Sequence, residues 1–171
     1  IDFDHLDLGT RYLEALRPLR GHLQLRGGVL TLEGLQARTG EGRVSGDLAL
    51  DGRGTAAVWT ARVRWDDIRL ERWIRQVRED KAPPFVSGRW SGQAQLRGDG
   101  ISTAQILGSL KGHVRSSVRG GSISHLVVEG AGIDLAEALG LLVEGDKSLP
   151  VTCAAADLSV VDGVLRPRVF V

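Results

Sequence analysis

The sequence predicts a mainly β fold: an extended, twisted antiparallel sheet, open or partly closed into a groove, with a few short helices at its ends and edges. Three observations predict it. Apolar side chains recur at every second position over long stretches, the period of a strand with one buried face. Most of the 23 glycines fall between those stretches, as hairpin punctuation. Helical spacing is confined to short inserts.

In chain order, Leu23 and Leu25 alternate with His22, Gln24 and Arg26, and Gly27-Gly28 supplies the positive φ angles of a tight turn. The pattern continues from Val29 to Arg38, with Gly34 marking a bulge or bend. Gly40-Glu41-Gly42 reverses the chain, and Val44, Leu48 and Leu50 alternate with Arg43, Ser45, Asp47 and Ala49. Beyond Asp51-Gly52 comes the strongest strand signal. Trp59, Ala61, Val63 and Trp65 share one face, with Thr60, Arg62 and Arg64 on the other.

The second half repeats the habit. Val86, Trp90, Ala94 and Leu96 are in phase with Gly88 and Gly92, and Leu110, Val114 and Val118 are opposed by Lys111, His113, Arg115 and Ser117. The stretches 43–50, 56–65, 86–97 and 109–118 are therefore expected to be neighbouring antiparallel strands with one common apolar face. Leu25 to Leu30, Val118 to Ile123 and Val161 to Leu165 carry similar turn signals and are read as three hairpins. Helical spacing appears in Leu70, Trp73, Ile74 and Val77, within a segment Arg69 to Arg78 for which Asp67 offers an N-cap. Thr10 to Leu19 reads as another helix. Asp134 with Glu137 opens one over Leu135 to Leu142, and Ser102 with Gln105 a shorter one.

The chain begins at Ile1, contains no Met and ends in strand-like Val169-Phe170-Val171, so residues 1–171 are expected to be one β-rich fragment of a longer protein. A sub-boundary falls near 80–85, at Lys81-Ala82-Pro83-Pro84. No run of about 18 apolar residues occurs, so no transmembrane helix is expected within it.

The chemistry-bearing residues are sparse. The 22 basic and 21 acidic residues nearly cancel and form no basic cluster, which argues against nucleic acid as a partner. Gly40, Gly42 and Gly46 miss a dinucleotide fingerprint by one place and lack a following helix. His5, His22, His113 and His125 have no metal-ligand spacing, and Asp2, Asp4 and His5 read as an exposed strand face. Asp66 and Asp67 are adjacent, hence expected on opposite faces of a strand and unable to act as paired carboxylates. Cys153, the single cysteine, has no base nearby in sequence and is expected to be a buried small hydrophobe. The expectation is a non-enzyme without cofactor or metal.

Two apolar features admit two readings each. The helix at Arg69 to Arg78 mixes tryptophan and arginine as a membrane-surface helix does, although covering the end of the sheet is the plainer role. Trp59, Trp65 and Trp90 belong either to a closed core beneath a second layer or to an open groove facing an apolar ligand.

From Val86 onward the order of elements resembles the C-terminal region of the AsmA family of Gram-negative envelope proteins. The residues that carry the resemblance are Val86-Ser-Gly-Arg-Trp-Ser-Gly92, Gly98-Asp-Gly-Ile-Ser102, Leu110-Lys-Gly-His-Val114, Gly120-Gly-Ser-Ile-Ser-His-Leu126, Gly132-Ile-Asp-Leu-Ala-Glu-Ala-Leu139, and Leu149-Pro-Val-Thr-Cys153 running into Val161-Asp-Gly-Val-Leu165. Residues 21–74 are similar to the strand pairs that precede this region. The resemblance implies a periplasmic body, joined to the inner membrane by an N-terminal anchor outside this chain. It also implies kinship with bridge-like lipid-transfer proteins that serve lipid transport and outer-membrane assembly. The expected function is to hold phospholipid acyl chains in a hydrophobic β-groove lined by Trp59, Val63, Trp65, Trp90, Leu96, Val114 and Val118. The alternative is a structural or protein-interaction β-sandwich with no lipid ligand.

Overall fold

The computed structural model describes residues 1–76, 84–124 and 148–170. Nine strands form one antiparallel sheet whose spatial order is the chain order: β1 (Asp2–Phe3), β2 (Leu19–Arg26), β3 (Val29–Thr39), β4 (Gly42–Asp51), β5 (Ala57–Arg69), β6 (Val86–Gly100), β7 (Lys111–Ser124), β8 (Ser148–Val161) and β9 (Val164–Phe170). The sheet is not closed into a barrel, since β1 and β9 remain its two edges. The four stretches expected to be neighbours are β4 to β7, paired antiparallel throughout. Because β6 pairs with β5 from Gly100↔Ala57 to Arg89↔Arg69, the sheet runs on across the boundary at residues 80–85.

Turn chemistry explains the hairpins. Gly27 and Gly28 (φ 54° and 81°) join β2 to β3, Gly40 and Glu41 (53° and 63°) join β3 to β4, and Asp162 and Gly163 (50° and 74°) join β8 to β9. Both central residues are left-handed in each, the geometry whose twist matches the strands.

Three bulges keep the apolar phase on one face. Gly34 (φ 60°), Asp67 (58°) and Gly120 (57°) sit where a strand carries one residue more than its partner. Each turns an i, i+2 step into i, i+3, so Leu32 is followed by Leu35, and Trp65 by Ile68, on the same side. Gly34 is fixed by its backbone N–H, which donates to Asp47 Oδ1 at 3.0 Å. The Val118 to Ile123 segment is therefore a bulge inside β7, not a hairpin: the ladder with β6 resumes at Ser122↔Ser87. Its second glycine, Gly121, lies so close to β6 that an added Cβ would stand 2.1 Å from the Ser87 carbonyl oxygen.

The helices are shorter than the sequence suggests. α1 spans Leu70–Trp73 and α2 spans Thr103–Gly108. The backbone is already extended at Ile74, while Val77 and Arg78 lie outside the described residues. Arg69, not Asp67, precedes α1, without a side-chain cap. Asp67 is instead consumed by its bulge, with its N–H donating to Ser91 Oγ at 2.9 Å and its carboxylate paired with Arg89. At α2 the expected cap is present: Ser102 Oγ accepts from Gln105 N at 3.2 Å, and Gln105 Oε1 accepts from Ile101 N at 2.9 Å. The expected helix at 134–142 lies outside the described residues.

Thr10 to Leu19 is not helical. The N–H groups of Glu14 and Arg17 donate to Trp73 O and Arg38 O, both at 2.8 Å, so partners on other elements replace the i−4 carbonyls of a helix. Leu19 already belongs to β2, and isolated bridges join Leu6 to Leu16 and Leu13 to Ile74. This segment supplies buried Ala15, and its Leu16 packs against the cluster of Leu19, Leu35 and Ala37. Core packing is thus concentrated at one end of the sheet.

Candidate functional site

Direct cross-strand partners in an antiparallel sheet share a face, so the register defines the surface rung by rung. One rung runs Leu23, Leu32, Leu48, Ala61, Leu96, Gly112, Val160, Leu165. The next runs Leu35, Gly46, Val63, Ala94, Val114, Leu158, Pro167. On either side lie Leu25, Leu30, Leu50, Trp59, Gly98 and, beyond the second rung, Ala37, Val44, Trp65, Gly92. Past the Asp67 bulge the apolar side continues through Ile68, Trp90, Val118 and Ala154. The seven residues singled out from the sequence, Trp59, Val63, Trp65, Trp90, Leu96, Val114 and Val118, all fall on this face.

Their surroundings differ. Trp65 is buried, 8% exposed, and lies across Gly92, where an added Cβ would come within 2.4 Å of its ring. Trp90 sits 4.8 Å from Trp65 and 5.0 Å from Trp73 between ring centroids, the latter pair stacked. The Trp90 indole N–H donates to Ser116 Oγ at 2.6 Å, whereas that of Trp65 has no partner among the described residues. Trp59, Val63, Leu96, Val114 and Val118 are half-buried. Toward the edges exposure rises, to 46% at Leu23 and 58% at Leu165. The described residues form no second sheet over this face. Of the two readings of the tryptophans, Trp65 answers to packed core and Trp59 to partly open surface.

The opposite face is polar, and its rows of long side chains enclose furrows floored by the sheet backbone. Two of them, each about 780 Å³, run between Thr31, Thr60, Arg97, Lys111 and Glu33, Asp47, Arg62, Gln95, and between Arg20, Arg64 and Arg38, Arg43, Asp66. These are clefts between side chains rather than enclosed pockets. Asp66 and Asp67 both turn to this face, because the bulge places successive residues on one side; the alternation expected of them does not hold. Each is held by its own arginine, Asp66 by Arg43 at 3.2 Å and Asp67 by Arg89. Two separately neutralised carboxylates do not make a general acid–base pair.

Cys153 is exposed, directly opposite Arg119, and so is not the buried hydrophobe the sequence suggested. Its strand neighbour Ala154 pairs with Val118 on the apolar face, so alternation puts Cys153 on the opposite one. Asp2 forms an exposed ion pair with Arg20 at 3.1 Å. The described residues contain no cluster of three or more metal-ligating side chains, and no helix among them is long and apolar enough to cross a membrane.

Fold and surface together define a class: a β-meander protein with one continuous apolar face, which no second sheet covers among the described residues. The sequence model of the AsmA family matches residues 15–170, and the chain belongs to that family. Among curated proteins it is similar to the AsmA family protein YhjG of Escherichia coli (strain K12), with 27% identity over 157 residues. That alignment takes in 89% of this chain and 22% of the relative, so the chain spans less than a quarter of the curated relative's length. No solved structure matches.

Proposed function

We propose that the apolar face holds phospholipid acyl chains, on the periplasmic side of a Gram-negative envelope, within a longer protein anchored to the inner membrane. The observation that carries this reading is the run of apolar rungs across β2 to β9, half-exposed at Val63, Leu96 and Val114, with no second sheet over it among the described residues. A contiguous apolar surface of this kind costs solubility unless something apolar uses it. Each methylene withdrawn from water contributes ~0.8 kcal/mol, so partial enclosure suffices to hold a chain. The rungs run perpendicular to the strands, so an acyl chain laid along one meets Val63, Ala94 and Val114 in succession. The stack of Trp65, Trp90 and Trp73 walls the face on one side. On the other stands α2, against which an added Cβ at Gly98 would lie 2.5 Å from the Ile106 carbonyl oxygen.

Membership of the AsmA family supports a role in lipid transport and outer-membrane assembly. The test is mass spectrometry of lipids that co-purify with the chain under non-denaturing conditions. Stoichiometric phospholipid is the expected result. A folded, lipid-free protein that takes up no fluorescent acyl probe would refute it.

A further inference from the structure

The polar face is not electrically uniform, although the whole chain carries a formal charge of only +1. At the end nearest α1, a furrow of about 780 Å³ is walled by four arginines, Arg20, Arg38, Arg43 and Arg64, against one carboxylate, Asp66. Arg38 and Arg43 are direct cross-strand partners, a like-charge pairing that destabilises a sheet unless an anion lies between them. Arg43 is taken by Asp66 at 3.2 Å and Arg20 by Asp2 at 3.1 Å. Arg38 and Arg64 are both exposed and have no carboxylate partner among the described residues.

We infer that this furrow is a binding site for a phosphate-type oxyanion, clamped between Arg38 and Arg64. The two residues stand on β3 and β5, flanking β4, with register partners Arg43 and Ser45 two residues apart. Strand spacing and rise put their Cα atoms about 12 Å apart, a gap that two extended guanidinium arms close around one anion. The planar fork of each guanidinium matches two phosphate oxygens at once. Ser45, directly opposite Arg64 on the furrow wall, adds a hydroxyl donor. The site lies on the face opposite the apolar one and stands independently of acyl binding. Its ligand is either the headgroup phosphate of a lipid presented at a bilayer surface or free phosphate.

Two probes and two double variants of the 171-residue chain test it. Inorganic phosphate is titrated calorimetrically at low ionic strength. Co-sedimentation is measured with vesicles of phosphatidylglycerol in phosphatidylcholine and of phosphatidylcholine alone. Arg38→Gln/Arg64→Gln is expected to weaken the bound probe roughly thirtyfold, equivalent to ~2 kcal/mol at ~1.4 kcal/mol per decade. Arg97→Gln/Lys111→Gln, in the other furrow of the same face, removes equal charge and is expected to leave binding within about twofold. Unchanged circular dichroism establishes that both variants fold. Binding of anionic vesicles without measurable binding of inorganic phosphate assigns the furrow to a headgroup; binding of inorganic phosphate assigns it to the free anion. Binding of neither probe, or equal losses in the two variants, overturns the inference.

Discussion

Replacing Val63 with aspartate should strip lipid from the apolar face while leaving the sheet folded. Val63 is half-buried and lies in one rung with Gly46, Ala94 and Val114. From β5 to β7 that rung crosses two inter-strand spacings, about 10 Å, which an extended acyl chain covers with on the order of eight methylenes. An open face dries one side of each methylene, so about half of the ~0.8 kcal/mol for full burial applies, or ~3 kcal/mol over the rung. A hydrated carboxylate in the middle forfeits that contact, which predicts roughly a hundredfold loss of affinity. The fold loses only the partial burial of one valine, on the order of 1 kcal/mol, because the carboxylate remains solvated. Val114→Asp, two strands away on the same rung, should behave alike, and Thr60→Asp on the opposite face of β5 should leave lipid content unchanged. The assay pairs quantification of co-purified phospholipid with thermal melts followed by circular dichroism. A folded Val63→Asp protein with normal lipid content would refute the assignment of this face. An unfolded one would show that position 63 lies in a closed core, where an unpaired charge is not tolerated.

Gly92→Ala should destabilise the protein by ~1–3 kcal/mol in urea unfolding, because its Cβ would stand 2.4 Å from both the Trp65 ring and the Arg115 carbonyl oxygen. Cys153, being exposed, should react with a thiol reagent in the folded protein as fast as in a denatured control, and Cys153→Ser should shift stability by less than ~0.5 kcal/mol. Hydrogen bonds from the Arg53 side chain hold the Asp51 carboxyl at about 2, below its ordinary 3.8. With the folded value depressed, its contribution is present above the unfolded value and is lost as pH falls from about 4 through about 2. Arg53→Gln should therefore return the Asp51 titration, followed by carboxyl NMR, toward the ordinary range. At α2, Ser102→Ala should cost ~1 kcal/mol or less, since the lost cap is exposed.

The sheet was legible in the sequence because period-two alternation and paired left-handed turn residues are local signals. Gly27-Gly28 and Asp162-Gly163 each declare a turn, and between them the phase of Trp59, Val63, Leu96 and Val114 assigns a face without knowledge of any partner strand. The seven candidate lining residues were found this way, by phase alone. The failures share one cause, competition from partners distant in sequence. Thr10 to Leu19 has helical spacing, but its N–H groups find the carbonyls of Trp73 and Arg38. Gly120-Gly121 has hairpin composition, but β6 continues past it and the extra residue is absorbed as a bulge. Asp66-Asp67 has the alternation of a strand, but the left-handed Asp67 turns both carboxylates to one side.

By itself, then, the sequence determined that this protein is mainly an antiparallel sheet of long alternating strands with a shared apolar face, since strand period, turn residues and apolar phase are written within a few residues of one another. Tertiary structure alone decided how far that face stays open. It enclosed Trp65 against Gly92 and Trp90, left Val63 and Val114 half-exposed, and gathered Arg20, Arg38, Arg43 and Arg64 from four strands into one furrow. The physical reason is that burial and charge convergence depend on register between strands, and register is set by bulges and turns acting together across the sheet, not by any one segment.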